Sequence, residues 1–257
     1  MKVVIIGSGN VATVFGKKMS GAGHKIIQIA GRNVERVKEL SSYFKIDYTT
    51  DLSHINPSAD IYIISVSDSA ISSVAKEIKF KKKLVVHTAA AVSKDVLSNC
   101  SGSFGVLYPL QTLKGEITAI PPIPVLVDAN DKSTLEKLIE FSTGWADSLL
   151  VANDEERLKL HIGAVFVNNF TNHLFTIVQD FCCSNDLEFE IFQPIIEETV
   201  SRIKGHSLSK MQTGPALRKD FGTIKKHEKV LAAYPQLLNI YKIFTDSIIA
   251  YYEGVKG

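Results

Sequence analysis

Residues 1–14 read MKVVIIGSGNVATV, and the order of residue types in this stretch decides the fold. Lys2 to Ile6 is a short apolar, β-branched run, the pattern of a strand buried on both faces of a parallel sheet. Gly7, Gly9 and Ala12 follow in the order G-x-G-x-x-A, and Val14, Phe15 and Met19 then recur at helical spacing. Each small residue has a task in a dinucleotide site. Gly7 permits the tight turn out of the strand, Gly9 lets the backbone approach a pyrophosphate, and Ala12 lets the helix pack close to the strand. The helix N-terminus offers amides and a positive dipole end to the phosphates. The stretch therefore predicts a cofactor cradle of Gly7, Ser8, Gly9, Asn10 and Val11. The competing reading is a glycine turn in an α/β domain that holds no nucleotide.

The next decisive point is the tip of the second predicted strand, Lys25 to Ala30, which ends in Gly31-Arg32-Asn33. An acid there would accept from the ribose 2′-OH of NAD, whereas an Arg can pair with the 2′-phosphate of NADP. The chain has Arg32 with Asn33 beside it and no acid before Glu35, so NADP is the expected cofactor. Against this stands a plainer reading, in which Arg32 is solvated and Asn33 only caps the next helix.

Further strands are expected at Asp47 to Thr50, Asp60 to Val66, Leu84 to His87, Phe104 to Leu107 and Ser148 to Ala152. Val125 to Asp128, preceded by Pro121, Pro122 and Pro124, reads as an edge strand. Loops at the carboxyl ends of such strands face the ligand crevice. Val66, Ser67 and Asp68 are therefore placed near the cofactor, and His87 and Gln111 near the substrate. For His87 a purely structural hydrogen bond is the alternative.

At Asn153 the grammar changes. Asn153 and Glu156 fit a capping box, and from there apolar residues recur at helical spacing with almost no strand signal. Asp154 to Cys183 reads as one helix of unusual length, followed by helices at Phe189 to Lys204, Lys219 to Ala232 and Gln236 to Tyr252. The expected organisation is an α/β domain over residues 1–152, a doubly wound Rossmann sheet, and an all-α domain over residues 153–257.

Bulk properties narrow the function classes. The 257 residues are 45% hydrophobic and 22% charged with a net charge of +2, an ordinary globular composition that points to neither a nucleic-acid nor a membrane partner. The chain runs straight into a strand, so no signal peptide is expected. Cys100, Cys182 and Cys183 are an odd set without metal-type spacing, which fits reduced thiols and a cytoplasmic location. His24, His54, His173, His206 and His227 lack supporting partners in the sequence, and no metal site is expected.

A Rossmann domain followed by a long helix and a helical bundle resembles the 6-phosphogluconate-dehydrogenase-like superfamily. More narrowly, the chain resembles a branch of NADP oxidoreductases with a Rossmann-like domain and a C-terminal domain of unknown function. Relatives of that branch include deazaflavin-dependent NADP oxidoreductase and pyrroline-5-carboxylate reductase. The likeness is carried by Val66-Ser67-Asp68-Ser69-Ala70, His87-Thr88-Ala89-Ala90, Pro109-Leu110-Gln111-Thr112, His161 to Asn169, and Thr213 to Asp220. It implies hydride transfer between NADP and a small-molecule substrate in a cleft between the domains.

Three positions depart from the pattern. Tyr108 stands where His is common, and Ala89-Ala90 where Ser-Gly is common. If Asn169 matches the Asn of β-hydroxyacid dehydrogenases, their acid/base Lys falls on Val165. His161, two helical turns before Asn169 and roughly on its face, is the expected substitute as proton donor, with Asn169 orienting substrate or nicotinamide. A core or interface role for His161 stays open. Arg218 could hold a substrate carboxylate with Asp220 beside it, or the two could form a capped helix start. The missing lysine also leaves room for a non-catalytic NADP-binding sensor or scaffold. The long apolar helix, too large to bury in one small domain, predicts a homodimer.

Overall fold

The computed structural model describes residues 1–114, 120–205 and 207–254. His206 lies outside them. Two compact units emerge, Met1–Phe170 and Thr171–Gly257, and the division falls later than the change of sequence pattern at Asn153.

In the first unit the elements follow the expected alternation. They are β1 (Lys2–Ile6), α1 (Asn10–Gly21), β2 (Lys25–Ala30), α2 (Val34–Phe44), β3 (Asp47–Thr49), β4 (Ile61–Ile64), α3 (Asp68–Glu77) and β5 (Leu84–His87). Then come β6 (Ser103–Pro109), β7 (Pro124–Ala129), α4 (Lys132–Ser142), β8 (Ser148–Val151) and α5 (Asp154–Ala164). The strands form one sheet in the order β3-β2-β1-β4-β5-β6-β7-β8. The first six are parallel, β7 runs antiparallel to β6, and β8 is parallel to β7. This is the doubly wound Rossmann order with a two-strand extension.

Alternation along β1 explains the two-sided core. Val3 and Ile5 join Phe15 and Met19 of α1 on one face of the sheet. Val4 and Ile6 join Tyr62, Ile64 and Ile71 on the other. With both faces covered, β1 has to be apolar almost throughout, as its sequence is. Phe15 meets Trp145 edge to face, with ring centroids 4.8 Å apart, and the Trp145 indole N–H donates to the Phe141 carbonyl.

One expectation needs correction. Val125 to Asp128 is not an edge strand, because β7 pairs with β6 on one side and β8 on the other. Val125, Leu126 and Val127 are buried, and a strand covered on both faces is what such an unbroken apolar run favours. The edge falls to β8, where Leu150 and Val151 are exposed.

The capping box forms as read: Asn153 accepts from the Glu156 backbone, and Glu156 accepts from that of Asn153. Helical structure runs without a break from Asp154 to Cys183, but Val165–Phe170 is a π-helical segment. Such a widening often marks a functional site.

The second unit contains α6 (Thr171–Cys183), α7 (Gln193–Arg202), the one-turn helices α8 (Leu208–Met211) and α9 (Pro215–Arg218), α10 (Phe221–Leu231) and α11 (Pro235–Gly254). No helix among the described residues is long and apolar enough to cross a membrane.

Candidate active site

The strand order reverses between β1 and β4, so their carboxyl ends splay apart and leave a crevice. A cavity of about 940 Å³ lies there. Gly7 to Val11, Arg32, Asn33, Thr50, Asp51, Ser65 to Asp68, Tyr108 and Gln111 are among its lining residues.

Gly7 sits at φ +131° and its amide donates to the Ala30 carbonyl at 2.7 Å. A Cβ at this position would lie 1.9 Å from the Ser65 carbonyl oxygen. Around Gly9 the situation is opposite: a Cβ there would meet nothing within 4 Å, and Gly9 is the residue before α1. The loop is therefore tight beneath and open above, with the first turn of α1 on the cavity wall. That is the shape a pyrophosphate needs.

The sequence-predicted cofactor residues Gly7, Ser8, Gly9, Asn10, Val11, Arg32, Asn33, Val66, Ser67 and Asp68 all line this one cavity. Asn33 also caps α2, its side-chain oxygen accepting from the Arg36 amide at 3.0 Å. The capping reading of Asn33 is therefore met, by a residue that also lines the cavity.

The predicted substrate residues are more scattered. Gln111 is in the lining, but its side chain is engaged, donating to the Pro122 carbonyl and accepting from the Thr112 amide. His87 is fully buried and outside the lining, whereas Thr88 belongs to it. The His87 Nδ1 accepts from the Ala89 amide at 3.2 Å. Burial, helped by the charge of Arg157, pushes His87 down to about 4, so the ring is neutral at physiological pH.

His161 on α5 lies beside Tyr108, with Nδ1 2.9 Å from the phenolic oxygen. Tyr108 is half-buried, and burial first, then the charge of Asp68, holds its hydroxyl above the ordinary tyrosine range, with Arg157 acting in the opposite sense. Asn169 is exposed. Its neighbour Asn168 donates to the Thr112 hydroxyl at 2.6 Å, within the first unit.

In the second unit Arg218 ends α9 and is exposed. Asp220 caps α10, accepting from the Thr223 amide and hydroxyl. The Thr223 amide bond is the main reason its carboxyl lies below the usual carboxylate range.

Two residues escaped the sequence reading. Tyr108 was visible only as a departure at the end of a strand, and nothing local announced its partner 53 residues on. Arg157 gave no signal beyond its place in the first turn after the capping box. It is 1% exposed and donates to the Ala90 and Val92 carbonyls and to Asp154. Among the described residues, no group of three or more His, Cys, Asp or Glu is placed to hold a metal ion.

Sheet order, glycine cradle and crevice together define a Rossmann-type α/β protein. Residues 2–91 match the family described as NADP oxidoreductase coenzyme F420-dependent, and residues 123–248 match DUF2520, a domain of unknown function. A Bacteroides fragilis protein classed as an NADP oxidoreductase is 32% identical, over 97% of this chain and 98% of that one, with a TM-score of 0.89. The chain belongs to this family of NADP oxidoreductases with a DUF2520 C-terminal domain. Pyrroline-5-carboxylate reductase of Streptococcus pyogenes shares the fold, with a TM-score of 0.65 and 16% identity over 97% of this chain and 98% of that one. Glycerol-3-phosphate dehydrogenase [NAD(P)+] of Staphylococcus epidermidis is 25% identical over 195 residues, 65% of this chain. The chain spans 58% of the length of that curated relative.

Proposed function

We propose that the chain is an NADP-dependent oxidoreductase that transfers hydride between nicotinamide and a small substrate. The observation that carries this reading is the single cavity in which the glycine cradle, Arg32 and Tyr108 meet. When bound, the dinucleotide supplies or accepts a hydride, and the chain supplies orientation and a proton. Gly7 to Val11 hold the pyrophosphate on the first turn of α1. Arg32 pairs with the 2′-phosphate through its planar fork, which favours NADP over NAD. Val66, Ser67 and Asp68 position the nicotinamide half. His161 supplies the proton, Asn169 orients the substrate or the nicotinamide amide, and Gln111 lines the substrate end, while His87, buried behind the lining, acts only through the Thr88 loop. On the second unit taken by itself, Arg218 is an exposed guanidinium suited to a carboxylate, and Asp220 fixes the start of the following helix.

The helical part, from residue 153 onward, is assigned to substrate binding and homodimer formation. In the second unit, exposed Ile191, Ile195 and Ile203 support a second copy as the cover for apolar side chains left open there. Cysteine usage supports a cytoplasmic location.

The test is consumption of NADPH in the presence of carbonyl and imine compounds, followed by absorbance with NADH in parallel. Substrate-dependent loss of NADPH is expected. Tight NADPH binding with no turnover across both classes would count against an oxidoreductase of this kind.

A further inference from the structure

Tyr108 and His161 are in direct contact at the wall of the cavity. Their polar atoms are 2.9 Å apart and their rings meet edge to face at 87°. Of the two, Tyr108 belongs to the cavity lining and His161 does not. The imidazole therefore touches the cavity wall through the phenol. We infer that the Tyr108 hydroxyl delivers the proton to the reduced substrate, and that His161 stands behind it to orient and resupply it. This rests on the oxidoreductase reading above.

Two states of the pair matter for proton delivery. When the neutral imidazole carries its proton on Nε2, the Tyr108 O–H donates to Nδ1 and its proton is turned away from the cavity. When the imidazole is protonated, Nδ1–H donates to the phenolic oxygen, and the O–H is released toward the cavity. The second state is the competent one. The substrate carbon of a C=X bond takes up the hydride and the π pair moves onto X. The Tyr108 O–H bond breaks as X–H forms, and the phenolic oxygen takes the proton from Nδ1, leaving His161 neutral. Substrate gains one hydride and one proton, and the dinucleotide is oxidised by two electrons. Burial and the Asp68 carboxylate disfavour a standing phenolate, while the Arg157 charge opposes them. The phenol thus holds its proton until X becomes basic.

The test uses full-length protein loaded with NADPH and carrying labelled histidine ring nitrogens and tyrosine Cζ atoms, in wild-type, Tyr108→Phe and His161→Asn forms. The Tyr108 Cζ resonance is expected to move between the wild type and His161→Asn, and Tyr108→Phe to shift the His161 ring-nitrogen resonances. With a carbonyl or imine probe that the wild type reduces, Tyr108→Phe should lower kcat about 100-fold or more. KM should stay within about threefold, because the lost interaction acts in the transition state. His161→Asn should cost about tenfold and flatten the pH profile, since water can resupply the phenol slowly. A Tyr108 Cζ resonance indifferent to His161, or a Tyr108→Phe enzyme with wild-type kcat, would overturn the inference. Retained NADPH affinity in both variants shows that the fold survives. A wild type that binds no NADPH would instead overturn the oxidoreductase reading, and the inference with it.

Discussion

Gly7 and Ser65 stand so close that a β-carbon on Gly7 would lie 1.9 Å from the Ser65 carbonyl oxygen. They follow β1 and β4, the neighbouring strands at which the sheet order reverses. The contact and the φ of +131° at Gly7 act together, since an L side chain is strained at that angle whatever the space. Gly7→Ala is therefore expected to cost about 1–3 kcal/mol of stability and to abolish NADPH binding. Denaturant unfolding and calorimetry check the two effects, and an unchanged unfolding midpoint would contradict the argument.

Arg157 is a buried charge held by three acceptors, the Ala90 and Val92 carbonyls and Asp154. Arg157→Met removes the donors and leaves the Ala90 and Val92 carbonyls without them, while the partly exposed Asp154 turns to solvent, at a cost of about 2–4 kcal/mol. Arg157→Lys should recover only part of that, because one ammonium cannot reproduce the guanidinium fork. Equal stability of the Lys variant and the wild type would show that charge alone suffices.

His87 makes the fold acid-sensitive. Its folded value is about 4 against 6.5 for the free side chain, so between those limits the unfolded chain binds the extra proton. The stabilisation from the neutral ring is fully present above pH 6.5. It falls away as pH drops toward 4, by at most about 3 kcal/mol. His87→Asn keeps an acceptor for the Ala89 amide and should flatten the stability profile across this window while lowering the plateau. A profile as steep as that of the wild type would place the acid sensitivity elsewhere.

Homodimer formation should depend on exposed apolar positions of the second unit such as Ile195 and Ile191, the latter 76% exposed. Light scattering is expected to give twice the chain mass for the wild type and a lower mass for Ile191→Glu with Ile195→Glu. A monomeric wild type would end this reading.

The first unit was legible because its signals are local. The strand of Lys2 to Ile6, the glycine order and the helical spacing after Ala12 lie within one short stretch, and together they specify a strand, a tight turn and a helix in that order. The place of Arg32 in the cavity lining was readable for the same reason, since the strand itself defines that position. The edge assignment of Val125 to Asp128 failed because the prolines before it carried more weight than the unbroken apolar run. Tyr108 and His161 could not be paired by reading along the chain, since only the placement of α5 beside the end of β6 brings them within 2.9 Å. Nor could periodicity find the π segment at Val165–Phe170, because one widened turn barely alters an apolar pattern. Asn168 and Asn169 are adjacent within that segment, and it is Asn168 that reaches Thr112.

The most direct measurement is calorimetric titration of the purified chain with NADPH and with NADH, repeated on Arg32→Ala. Binding of NADPH in preference to NADH is predicted. Arg32→Ala should weaken NADPH about 10- to 100-fold and leave NADH nearly unchanged. Binding of neither dinucleotide by the wild type would contradict the account, because the glycine cradle would then be a turn and no more.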